Sequence, residues 1–177
     1  IIVPEGIIFQ SGNAYKQLRK MLVENYLFAV VSLPAGVFQP YSGVKTSILL
    51  IDKALNKKTD NILFVKIEND GFDLGAQRRP NNKSQLPTAV KLVKKYISKC
   101  NSVGIDHTIL VSESLTEIFG PNGLWNIATK EKVAENEDWN LSGERYKSQI
   151  VSDSNYPYVK LEEICEYIRG VTYTKSD

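Results

Sequence analysis

The chain has 177 residues, of which 42% are hydrophobic and 24% charged, with a net charge of +2. That apolar share supports a core and excludes global disorder. No apolar run reaches the ~18 residues that a membrane span needs. The charge is uneven: residues 1–100 hold 15 Lys or Arg against 7 Asp or Glu, and residues 101–177 hold 7 against 13. This suggests two modules or two faces and makes the first a candidate for a polyanion, although an ordinary solvated surface accounts for it equally well. Two distant cysteines, Cys100 and Cys165, with no His or Cys at ligand spacing, imply no metal and a reduced, cytoplasmic protein.

Ile1–Val3 reads as the end of a strand stopped by Pro4. A chain that opens inside a strand, without an initiator Met, is read as a fragment of a longer polypeptide. After helix-start residues at Ser11–Asn13, Tyr15, Leu18, Leu22 and Tyr26 recur on one helical face. Two apolar runs, Leu27–Leu33 and Thr46–Ile51, read as strands buried in an α/β sheet. The loop between them is punctuated by Pro34, Gly36, Pro40 and Gly43 and carries Phe38 and Tyr41 near its tip. Loops at a sheet edge are where such folds place ligand contacts.

Asn56–Asn61 is a polar turn, Ile62–Ile67 a further strand, and Gly71–Asn82 an ordered loop. Thr88 is placed to cap a helix whose apolar face is Val90, Val93, Tyr96 and Ile97, with Lys91, Lys94, Lys95 and Lys99 opposite. Ile109–Val111 is a short extended piece. Ser114 with Glu117 forms a capping box, and Gly120-Pro121 ends that helix. Pro121–Asn155 has the composition of a linker, with Trp125 and Trp139 packing against the preceding domain. Leu161, Ile164, Cys165 and Ile168 then mark a helix closed by Gly170.

Several ordered segments match one family. Val3-Pro-Glu-Gly-Ile-Ile-Phe, Leu18-Arg-Lys-Met-Leu, Val31-Ser-Leu-Pro-Ala-Gly-Val-Phe, Gly43-Val-Lys-Thr-Ser-Ile-Leu and Gly71-Phe-Asp-Leu-Gly-Ala-Gln-Arg-Arg resemble the C-terminal part of type I restriction-modification modification subunits, which are DNA adenine N6-methyltransferases. Asn140-Leu-Ser-Gly-Glu-Arg-Tyr is similar to the end of that region, and Tyr158–Thr172 resembles the opening of a target recognition domain. The resemblance implies the C-terminal half of a Rossmann-like, S-adenosylmethionine-dependent methyltransferase sheet over 1–120. A linker over 121–155 and a partial recognition module over 156–177 follow. It also implies double-stranded DNA, specificity subunits and restriction subunits as partners, with no membrane.

The family binds S-adenosylmethionine through a Gly-rich strand–loop and works through an Asp/Asn-Pro-Pro-aromatic motif. This sequence has no Asn-Pro, Asp-Pro or Gly-x-Gly, so no catalytic residue is assigned in the chain and the isolated chain is expected to be inactive. The resemblance gives Phe38 the role of stacking on an extruded adenine, with Tyr41 beside it. Lys45, Thr46, Arg78 and Arg79 are candidates for phosphate, because Lys and Arg satisfy phosphate oxygens and a hydroxyl can donate to them. Each of these site residues has a structural alternative: Phe38 capping the hydrophobic end of the sheet, Tyr41 packing at the surface, which is the favoured reading for it, Lys45 solvated, Thr46 favouring a strand, the arginines pairing with carboxylates. Glu5 reads as structural, and the single histidine, His107, is given no role. The competing account is a non-catalytic α/β module that binds DNA or a specificity subunit.

Overall fold

The computed structural model describes residues 1–102, 124–135 and 137–147. The chain divides into two compact units, Ile1–Lys147 and Ser148–Asp177, the second outside the described residues. The extended piece at 109–111, the capping box at Ser114, His107 and the helix read near Leu161 also lie outside them.

Apolar runs become the strands: β1 (Ile2–Pro4), β2 (Leu27–Ser32), β3 (Thr46–Ile51), β4 (Asn61–Lys66) and β5 (Trp125–Thr129). They form one mixed sheet in the order β1-β3-β2-β4-β5. Among the described residues, the β2–β4 pair is parallel and the β1–β3, β2–β3 and β4–β5 pairs are antiparallel. β2 and β4 are covered on both faces, which is why they read as unbroken apolar runs.

Along β4, Leu63 and Val65 face one core cluster while Ile62 and Phe64 face the other. A register irregularity between Leu27 and Ala29 puts Phe28 and Ala29 into the same cluster. The first face is covered by α4 (Leu86–Ser102) through Ala89, Leu92, Tyr96 and Cys100. Of the expected face, Tyr96 is buried and Val93 and Ile97 pack against the same cluster, and only Val90 is corrected, being exposed. The Tyr96 hydroxyl donates to Asn61 O at 2.8 Å, fastening the helix to β4; burial raises its pKa, so it stays a donor.

The second face is covered by α1 (Glu5–Phe9), α2 (Asn13–Asn25), α5 (Lys130–Ala134) and a 3-10 turn, η1 (Gly143–Tyr146). A short α3 (Lys53–Asn56) follows β3 and is capped by Asp52, whose carboxylate accepts from the amides of Ala54 and Leu55. Asn56 then donates to Val23 O and Leu27 O, and Lys130 donates to Asn56 O and Oδ1.

Residues 124–135 and 137–147, expected as linker, instead supply an edge strand, a helix and a 3-10 turn of the first unit. The physical reason is cross-strand pairing: β5 completes β4 over five residue pairs, and Trp125 is buried against the α4 side.

The buried face of α2 is displaced from the expected one. Leu22 of the expected stripe is buried, but Tyr15 and Leu18 are each 37% exposed, and Arg19 and Val23 are buried beside Leu22 instead. Arg19 is 0% exposed. Its guanidinium donates to four backbone carbonyls: Ile7 at 3.0 Å, Gln10 at 2.9 Å, Asp138 at 2.8 Å and Trp139 at 2.9 Å. Burial lowers its pKa, and the nearby Asp138 carboxylate opposes that. Among the described residues no helix is long and apolar enough to cross a membrane.

Two stability predictions follow from this packing. Replacing Arg19 with Met removes the donor to four carbonyls, and each buried group left unsatisfied costs about 1–3 kcal/mol. Arg19→Met should therefore lose about 3–5 kcal/mol in urea unfolding, a large part of an ordinary domain's stability; a midpoint within experimental error of the parent would refute this role. An ideal Cβ on Gly143 would lie 2.7 Å from Phe64 Cβ, so Gly143→Ala should cost about 1–3 kcal/mol through overpacking. An unchanged melting temperature would show that η1 shifts freely.

Candidate nucleic-acid interface

The loop that carries Phe38 leaves the carboxyl end of β2 at Leu33 and enters β3 at Thr46. Leu33 is buried and Val37 packs on the α4-side core, so the loop is seated at its first half. Beyond that it is tied by turns: Gln39 N donates to Gly36 O, and Tyr41 N and Ser42 N both donate to Phe38 O. These bonds present Phe38 at 39% exposure and Tyr41 at 95% exposure. Gly36 has φ +84, a conformation that favours glycine, and an added Cβ would meet Leu74 O at 3.0 Å.

Leu74 belongs to the loop that follows β4. That loop is a small hairpin, with a Phe72–Pro80 bridge and an Asp73 N to Arg79 O bond of 2.8 Å. Both loops leave the carboxyl ends of the parallel pair β2 and β4. In open α/β sheets that edge is where ligands bind.

The candidate cations behave differently from one another. Lys45 Nζ lies 2.6 Å from Glu5 Oε1, and Glu5 N donates to Lys45 O, so the pair fastens the start of α1 to the start of β3. This agrees with the structural reading of Glu5. Arg78 is paired with the buried Asp70 and sits over the Phe72 ring, 5.3 Å from its centroid. Its φ of +46 is strained for a residue with a side chain and costs about 1–2 kcal/mol. Arg79 is exposed and its guanidinium donates to Gln77 Oε1. Thr46 Oγ1 is buried and finds no hydrogen-bond partner among the described residues, so it does not face a surface phosphate. Lys91 and Lys94 are exposed on α4.

On the opposite face of the sheet, a cleft opens at the same carboxyl end. Its floor includes Val30, Phe64 and Leu141, and its rim includes Lys45, Lys66 and Glu144. Lys66 lies 3.1 Å from Glu68 and 3.5 Å from Glu144, and Lys147 lies 3.2 Å from Glu144. Its hydrogen bond to Glu68 raises the Lys66 pKa. Burial alone would raise the Glu144 pKa, but Lys147 and Lys66 pull it below the ordinary value. Among the described residues, the rim carboxylates Glu5 and Glu144 are thus each paired with lysine.

Two features escaped sequence reasoning. Arg19 carries no signal of burial, because a basic residue mid-helix reads as solvated. The contact between Gly36 and Leu74 joins residues 38 positions apart; the glycine itself was the only available signal.

Against known proteins, residues 1–154 match the model of the N-6 DNA Methylase family. The chain is 43% identical over 54 residues to the type I restriction enzyme EcoEI methylase subunit of Escherichia coli, covering 30% of this chain and 11% of that protein. It is 33% identical over 100 residues to the MpnII methylase subunit of Mycoplasma pneumoniae, covering 56% of this chain and 17% of that one.

Two solved structures share the fold. One, from a study of assembly of a type I restriction-modification system, has a TM-score of 0.58 at 22% identity, covering 92% of this chain and 30% of its own. The other is the type I methyltransferase subunit of Streptococcus thermophilus, with a TM-score of 0.53 at 21% identity, covering 82% and 25%. The chain therefore spans under a third of the length of each. A family match over residues 1–154, on a mixed α/β sheet like that of type I methyltransferase subunits, establishes that this chain belongs to the N-6 DNA Methylase family.

Proposed function

We propose that the chain is part of a site-specific DNA methyltransferase that moves a methyl group from S-adenosylmethionine to adenine N6 in double-stranded DNA, within a cytoplasmic restriction-modification system. The observation that carries this reading is Phe38, an exposed aromatic held on a tied loop at the carboxyl edge of the sheet in a chain of this family.

The adenine amine is conjugated with its ring and is a poor nucleophile, so catalysis depends on orientation and electrostatics. Its base lies inside the duplex stack and must be extruded and held against flat side chains. Phe38 supplies one such face and Tyr41 an adjoining contact. Arg79, exposed beside the Phe72–Pro80 bridge, is the cation best placed for phosphate; Lys45 and Arg78 serve chiefly to hold the two loops.

The residues present do not fit the methyl donor. The sequence has no Gly-x-Gly segment for it and no Asn-Pro or Asp-Pro dipeptide for the amine, so these residues orient a base and perform no transfer. Specificity and restriction subunits are the proposed partners, and 156–177 the opening of a recognition module.

The test has two parts. Purified chain mixed with labelled S-adenosylmethionine and unmodified DNA should transfer no label; transfer would refute the division of labour. In a full-length methylase carrying this chain, Phe38→Ala should lower kcat/KM for DNA by about 5- to 150-fold, the equivalent of about 1–3 kcal/mol of base stacking. Phe38→Tyr should recover most of it. Equal activity of Phe38→Ala and the parent would remove Phe38 from the site.

A further inference from the structure

The hairpin after β4 is built more tightly than a surface connection requires. Arg78 keeps a left-handed backbone, φ +46, while its side chain is clamped between the Asp70 carboxylate and the Phe72 ring. Asp70 is buried. Gly71, at φ +101, is closed from the other side, where an added Cβ would meet Ser84 Cβ at 2.9 Å. Arg78 N donates to Gly75 O at 3.0 Å and Asn81 N to Gly71 O at 2.9 Å, so the hairpin is cross-braced over its length.

Strain of this kind persists only where the surroundings over-determine it, and it points to a constraint worth holding. Here the braced tip presents Leu74, and the carbonyl of Leu74 lies against Gly36, where even one added carbon would be crowded. Gly36 is two residues from Phe38 and accepts the Gln39 amide that starts the Phe38 turn.

We infer that the Asp70–Arg78 clamp is a positioning device for the Phe38 loop: it fixes Leu74, and Leu74 fixes Gly36 and thereby the aromatic. Arg78 is on this account a positioning residue that acts through the hairpin, and not a phosphate ligand. The purpose of the device rests on the proposed base-stacking role of Phe38, but the mechanical coupling does not.

Amide hydrogen exchange on the 177-residue chain tests it. Arg78→Ala should speed exchange at Asp73 and Asn81 and, through Leu74, at Gln39, Tyr41 and Ser42 by about tenfold or more, while amides of β2 keep their parent rates. Arg78→Lys, which keeps the charge for Asp70, should restore part of the protection. Gly36→Ala, made from the other side, should speed exchange in the hairpin.

Unchanged exchange at Gln39, Tyr41 and Ser42 once the hairpin amides have been released would overturn the coupling, as would an unchanged hairpin in Arg78→Ala. If Arg78→Ala unfolds the sheet, Gly36→Ala decides alone: unchanged hairpin exchange would overturn the proposal. Coupling in a protein whose Phe38→Ala form retains full activity would uphold the clamp and reject the stacking role, so the two can fail separately.

Discussion

A guanidinium without access to water holds the second face of this molecule together. Arg19 meets no carboxylate at ion-pair distance among the described residues and spends its donors on four carbonyls instead. Burying a cation is expensive unless its hydrogen bonds are complete, so those carbonyls must be where they are. Two belong to the α1 region and two to residues 138 and 139, some 120 positions further on. One side chain thus joins α1, α2 and the segment leading into η1 over the sheet. Asp138 extends the junction through Lys16 and Arg145, at 3.6 and 3.4 Å; such partly exposed pairs contribute little individually.

With that face secured, the carboxyl edge of β2 and β4 can carry two loops that lean on each other. The sheet is closed beneath them by α4, and the α1 end is pinned to β3 by Glu5 and Lys45. Paired charges line the cleft on the second face, while Val37 seats on the α4-side core the loop that carries the exposed Phe38 and Tyr41.

Legibility followed the range of the forces. β2 and β4 are readable to within a residue or so because burial on both faces writes itself as a continuous apolar run; β3, buried only at alternate positions, is readable because its outward residues are apolar as well. α2 was readable as a helix but its buried face was not, since Arg19 counts as polar in any periodicity while its satisfied donors make it a core residue. β5 looked like linker because Trp125–Thr129 is short and mixed in composition, and only pairing with β4 makes it a strand. The roles of Lys45 and Arg78 depended on Glu5 and Asp70. Glu5 lies 40 positions from its partner, and a pair that distant leaves no spacing signal in one sequence. Phe38 stood out because Pro and Gly frame it and the family resemblance pointed there.

Whether the Phe38 loop holds the extruded base is decided by a photocrosslink. A duplex in which 5-iodouracil replaces the target adenine would be irradiated with a full-length methylase carrying this chain, and the crosslinked peptide sequenced. An extruded base seated on Phe38 or Tyr41 predicts attachment within residues 34–44. Attachment within the cleft-lining segment 141–147 instead, or no attachment to these residues at all, would contradict the assignment of this loop as the base-holding surface.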